Sequence, residues 1–141
     1  MRSQSREGGF ALMELVVVIA VLVILAAFAV PRFLSLEVQA HTAAVQALAG
    51  SLRSSAALSH SLWLSQGQPA SVTMEGRPIG MVNGYPDRAT VGDSVADASG
   101  FSYTPGTGVF AKIGVRAHCT VTYDEAQAGE VPAVTIDVGG C

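Results

Sequence analysis

Phe10-Ala-Leu-Met-Glu14-Leu-Val-Val-Val-Ile-Ala20-Val-Leu-Val-Ile-Leu25-Ala-Ala-Phe-Ala-Val30-Pro31 decides how the rest of the chain is read. From Phe10 to Val30 there is one charge, Glu14, and Leu15 to Val30 is an unbroken apolar run. At about 1.5 Å rise per residue such a helix reaches roughly 30 Å, one hydrocarbon core, so the segment is long enough to span a bilayer. Before it lies Met1-Arg-Ser-Gln-Ser-Arg-Glu-Gly-Gly9, where Arg2, Arg6 and the terminal amine outweigh Glu7. Only Arg32 follows before Glu37 restores balance. The positive excess on the leader favours a cytoplasmic N-terminus and an exported remainder. An ordinary secretory signal fits poorly: its apolar region is shorter and its small-residue cleavage site follows that region, whereas Gly8-Gly9 precede it.

The whole chain has 141 residues, enough for one small domain beside the apolar segment. Half of it is hydrophobic and 13% is charged, which excludes a disordered chain. Eight Lys and Arg against eleven Asp and Glu give no bulk-charge argument for nucleic-acid binding.

Glu14 is the residue to explain, because a carboxylate among lipid tails is costly unless it is paired. One reading lets it snorkel to the interface near the helix start. The other assumes a cut between Gly9 and Phe10: the new positive amine on Phe10 of a neighbouring copy would then neutralise Glu14 within an apolar assembly.

Gly9-Phe10-Ala-Leu-Met-Glu14-Leu-Val-Val-Val-Ile19 resembles the prepilin signature of type IV pilins and their relatives. The resemblance implies a dedicated peptidase that cuts after Gly9 and N-methylates Phe10. It makes Glu14 the fifth-position acid of the mature chain and places Pro31 where many of these pilins carry a proline. It is dense from Gly9 to about Leu36 and sparse beyond. Pro31-Arg-Phe-Leu-Ser-Leu36, Val82-Asn-Gly-Tyr-Pro86, Cys119-Thr-Val-Thr-Tyr123 and Gly140-Cys141 are similar to the mannose-sensitive haemagglutinin (MSHA) class.

Beyond the apolar run, Pro31 removes a hydrogen bond to Ala27 and either ends the membrane helix or kinks one longer helix. Leu34, Val38, His41, Val45, Leu48 and Leu52 follow 3.6-residue spacing, and many alanines fill the rest, so a helix is expected to Gly67 and Pro69. Four strand-like runs follow: Ser71–Glu75, Gly108–Arg116, His118–Tyr123 and Pro132–Val138. In the last two, Cys119, Val121, Tyr123 and Val134, Ile136, Val138 alternate with polar residues, the period of half-buried strands. Asn83 to Thr107 reads as mostly loop, as does Asp124 to Glu130.

The expected architecture is therefore α+β: a long N-terminal helix packed on a small antiparallel sheet, as in the type IV pilin fold. Its divisions are a cleaved leader, residues 1–9; a membrane and filament-core helix, 10–30; an amphipathic continuation, 31–66; and a globular sheet region, 67–141.

Cys119 and Cys141 are the two cysteines. In an exported domain one disulfide is the simplest outcome, a free thiol pair the alternative. The resemblance implies a disulfide that encloses a surface region of the pilin.

Catalysis finds no support. His41 and His60 lie nineteen residues apart on the long helix, and there is no Cys-x-x-Cys, His-Glu-x-x-His or Gly-x-Ser-x-Gly. Neither a metal nor a cofactor is expected. Asp124, Glu125, Glu130 and Asp137 could offer oxygens to calcium, or form a solvated acidic loop. Trp63, Tyr85, Phe101 and Tyr103 could make a sugar surface, or pack helix against sheet.

The expectation is a structural subunit of a type IV pilus. The resemblance implies self-association into a helical filament for adhesion, and as partners the prepilin peptidase, an inner-membrane assembly platform and an assembly ATPase. It places the chain in the inner membrane as a single-pass precursor, then in an extracellular filament. The alternative is a pseudopilin of a type II secretion system, a relative whose major subunit commonly carries a calcium loop and no C-terminal disulfide.

Overall fold

A computed structural model describes residues 12–141. Helix α1 runs Leu12–Ser65 and passes through Pro31 without interruption, so of the two roles open to that proline, ending the helix is excluded. The chain divides into two units, Met1–Glu37 and Val38–Cys141.

In the first unit the described part is α1 alone, and every residue from Leu12 to Glu37 is exposed. The second unit has its own core. There α1 buries Val45, Leu48, Ala49, Leu52, Ala56 and Ser59, the three- and four-residue steps of one helical face. α1 ends in Gln66–Pro69, where Gly67 and Gln68 adopt positive φ.

Two antiparallel sheets follow. The first holds β1 (Ser71–Met74), β2 (Arg77–Val82) and β3 (Tyr85–Pro86) in that order. A 3-10 turn at Val91–Ser94 leads to the second, a meander of β4 (Phe101–Thr104), β5 (Val109–Lys112), β6 (Thr120–Asp124) and β7 (Ala133–Asp137). Phe110 faces Val121, and Val121 faces Ile136, across neighbouring strands.

Phe110, Cys119, Val121 and Tyr123 join Val45, Leu48, Leu52 and Ala56 in one cluster, to which Val91 and Val95 contribute from the connecting segment. The fold is thus the α+β arrangement of a long helix and antiparallel strands.

Three details differ from the sequence reading. Two small sheets replace one. β2 carries Pro78 and Gly80, both unfavourable to strands, yet it pairs on both sides. The segment from Asn83 to Thr107 holds β3, the 3-10 turn and β4 rather than mostly loop. Its first turn, Asn83-Gly84, has φ of 51° and 86°, the backbone of a two-residue hairpin for which Asn-Gly is the preferred pair.

The alternation in β7 also overstates its burial. Val134 is half-buried, but Ile136 and Val138 remain 42% and 38% exposed, because β7 is an edge strand of the meander.

Candidate functional site

The residues singled out by the sequence fall in two places, the start of α1 and the region closed by the cysteines. Gly9 and Phe10 lie outside the described residues. Glu14 lies in the first described turn of α1, the sole acid among exposed apolar side chains. By length and composition α1 can cross a membrane, and the most apolar part of it has no side chain buried. Leu12, Met13, Val23 and Phe28 are each about two-thirds or more exposed, so this surface has no cover among the described residues.

Cys119 and Cys141 form a disulfide across 22 positions of sequence. Cys119 is fully buried immediately before β6, and Cys141 packs against the same core. Around the bridge the backbone is tightly fitted. The Gly140 N–H donates to the His118 carbonyl at 2.7 Å, and a Cβ on Gly140 would come within 1.9 Å of the Ala117 carbonyl oxygen. His118, at φ 71°, is held in the left-handed region that few non-glycine residues occupy.

Its Nδ1–H donates to Asp137 Oδ2 at 2.8 Å, and the Gly139 N–H donates to Asp137 Oδ1 at 3.1 Å. The Gly139 N–H, followed by His118, holds the Asp137 carboxyl below the usual carboxylate range.

A second polar cluster pins the segment after β3 to the end of β6. The Arg88 N–H donates to Glu125 Oε1 at 2.7 Å, and Arg88 Nη2 donates to Asp124 Oδ1 at 2.8 Å. The Tyr103 hydroxyl donates to the Arg88 carbonyl, and Asn83 Nδ2 donates to the Ala126 carbonyl. Tyr123 donates to the Pro86 carbonyl at 2.7 Å, tying β6 to β3 and so one sheet to the other. Burial pushes the phenols of both Tyr103 and Tyr123 up. Arg88, a lone cation in a polar stretch, carries no periodic signal in the sequence. The nearby acids Asp124 and Glu125 are visible there, but not their partner.

The side chains of all but one of the weighed calcium ligands have partners within the chain. Asp124 and Glu125 serve Arg88, and Asp137 serves His118; Glu130 is exposed. Among the described residues no group of three or more His, Cys, Asp or Glu side chains is placed to hold a metal.

Trp63 donates its indole N–H to the Pro69 carbonyl at 3.0 Å. Tyr85 stacks on His60 at 4.4 Å, with His60 Nδ1 on the Gly84 carbonyl, and Tyr103 stacks on Phe110. Lys112 Nζ lies 5.3 Å from the Phe101 ring centre. These aromatics pack helix, turn and sheet together.

What the geometry offers, then, is a helix surface that requires a partner and a small domain locked by a disulfide. Comparison with known proteins points the same way. The chain is 49% identical over 53 residues to the type IV narrow pilus major component PilA5 of Thermus thermophilus. The similarity is to a pilus subunit. It covers 38% of this chain and 46% of the relative, so the chain spans about half the length of the curated protein it matches. No family model matches the chain, and no solved structure does. The match supports a type IV pilin and does not reach the MSHA subclass.

Proposed function

We propose that the chain is a structural subunit of a type IV pilus, MSHA-like in subclass, made as a membrane-anchored precursor and polymerised into an extracellular filament. The observation that carries this is the wholly exposed apolar surface of Leu12–Glu37 interrupted by Glu14, in a chain similar to a pilus major component.

Apolar helices leave a bilayer only where another apolar environment receives them, and a bundle of the same helices supplies one. Glu14 then sets register. Unpaired in such a bundle it is costly; paired with the Phe10 amine of a neighbouring copy it is tolerated, so a subunit out of register is penalised. Cleavage between Gly9 and Phe10, N-methylation of Phe10, and the assembly platform and ATPase belong to this reading, as does an adhesive role for the finished filament. Pro31, within α1, leaves one carbonyl without its helical donor and lets the helix bend as it packs.

The disulfide between Cys119 and Cys141 favours the pilus over the secretion pseudopilus. The test is to express Gly9→Ala and Gly9→Asp beside the wild type and shear the cells. Gly9→Ala should retain much of the processing, while Gly9→Asp should leave full-length precursor in the envelope and no filaments. Normal processing of Gly9→Asp would refute the prepilin assignment.

A further inference from the structure

Within the Val38–Cys141 unit, α1 exposes two different flanks beside its buried face. Counting about 100° per residue, Ser51, Ser54 and Leu58 share one stripe and Arg53 and Ala57 another, roughly 115° apart across the exposed face, on either side of the buried Leu52–Ala56 row.

The first flank opens into a groove of about 400 Å³, whose far wall is made by the β1–β2 turn and the 3-10 segment. Leu58, 55% exposed, supplies its apolar surface, and Glu75, Asp93 and Asp97 supply its charge. Asp93 pairs with Arg77 at 3.1 Å. Glu75 and Asp97 have no ion pair among the described residues. Asp97 accepts from Ser99, two residues on, which holds its carboxyl below the usual carboxylate range and so charged.

The second flank opens into an apolar groove of about 310 Å³, where Arg53 and Ala57 face Tyr85, Val131 and Pro132. Val131 is 71% exposed. Arg53 donates from Nη2 to the Val134 carbonyl at 2.8 Å, which leaves the rest of its guanidinium fork turned to solvent with no carboxylate partner among the described residues. Glu130, the sequence neighbour of Val131, does not line this groove.

The two flanks complement each other. One carries an unneutralised cation beside an exposed apolar side chain, the other unneutralised carboxylates around an exposed leucine. The geometry points to a head-to-tail contact between copies of this chain, in which Arg53 and Val131 of one copy seat in the groove formed by Leu58, Glu75 and Asp97 of the next. The occupant is a second copy because each flank supplies what the other lacks. Since the patches differ, the contact is heterologous and propagates from copy to copy instead of closing into a two-fold dimer. Charge complementarity of this kind fixes register and excludes wrong pairings. The inference rests on the filament reading and names the contact its globular parts make.

The experiment is oxidative cross-linking of sheared filaments from full-length chains carrying Ser54→Cys and Val131→Cys together, with each single variant as control. Non-reducing gels should show a ladder of dimers, trimers and longer species for the double variant only, with a bond between positions 54 and 131 found by peptide mass spectrometry. Filaments of the double variant that stay monomeric after oxidation overturn the contact while leaving the filament reading intact. Dimers from the Val131→Cys single variant overturn it in favour of a two-fold contact. Absence of filaments from the wild type would remove the underlying reading itself.

A charge swap provides a second arm. Arg53→Glu and Asp97→Arg should each lower filament yield severalfold, and the two together should restore it to within about twofold, since the coupling resides in the pair. A double variant no better than the worse single variant contradicts the pairing.

Discussion

The two stretches of α1 differ in apolar content and meet different surroundings. From Leu12 to Ala40 every side chain is exposed, whereas from Val45 to Ser59 every third or fourth residue is buried against the sheets. The difference lies in pattern as well as content. Val45, Leu48, Leu52 and Ala56 form one stripe, opposite a face mostly of small residues such as Ala47, Gly50 and Ser54, so one small domain covers them completely. Leu15 to Val30 is apolar all round. No single domain of this size covers such a helix, and only lipid or several copies of the chain can. One stretch is satisfied by folding, and the other needs cover from outside that fold.

That contrast can be broken most directly at Glu14. Glu14→Ala should leave leader removal and the fold of the Val38–Cys141 unit unchanged while abolishing most sheared filament. Abundant wild-type-like filaments from this variant would remove the register role.

The reverse separation is expected at Leu52, which is fully buried. Leu52→Ala should destabilise the globular unit by about 2–5 kcal/mol through lost burial and the cavity left behind. Thermal unfolding of the detergent-solubilised full chain reads this, and an unchanged midpoint would show that the core is not where the structure places it.

Cys141→Ser should cost about 3 kcal/mol on the chain-entropy account of a loop of this length. The loss should appear in the same melt without restoring or removing the membrane partition of α1.

A smaller effect is expected at Tyr123. Tyr123→Phe removes the hydrogen bond to the Pro86 carbonyl and should cost about 1 kcal/mol at neutral pH. The variant should also change the alkaline limb. Because burial raises the folded phenol above its unfolded value, its contribution is fully present below about pH 10 and is lost as pH rises toward the folded value. Tyr123→Phe should therefore lose less stability above pH 10 than the wild type does, with Tyr103 accounting for part of what remains.

Asp137→Asn should have the smallest effect. The lowered carboxyl contributes stability above the ordinary aspartate value, near 4, and loses it as pH falls through the folded value. The variant should flatten that acid limb slightly in pH-dependent melts, and an unchanged limb would remove the pair with His118 from the account.

What was legible in the sequence follows the range of the interactions involved. The apolar run, Glu14 within it and the 3.6-residue stripe from Leu34 are local patterns, and the helix follows them, but the stripe is buried only from Val45 on, with Leu34 and Val38 exposed. The disulfide was legible from the cysteine count in a chain read as exported. β2 was not, because Pro78 and Gly80 weaken the strand signal while pairing with β1 and β3 sustains the strand. β3 is two residues long and rests on the Asn83-Gly84 turn, a signal present in the sequence but diluted by the polar residues around it.

Alternation in Val134, Ile136 and Val138 correctly indicated a strand but not its cover, since alternation reports which residues share a face and not what lies against it. The roles of Arg88, with Asp124 and Glu125, and of Arg53, with the Val134 carbonyl, depend on residues 36 or more positions apart. No window of sequence brings such pairs together.

The central claim is that the exposed apolar helix is built for a filament of identical chains, and intact mass spectrometry of subunits sheared from whole cells tests it most directly. A species beginning at N-methylated Phe10, two hydrogens short of the reduced mass because Cys119 and Cys141 are bonded, is the predicted result. A processed species confined to the envelope and missing from the sheared fraction, or a subunit that retains Met1 to Gly9, would contradict it.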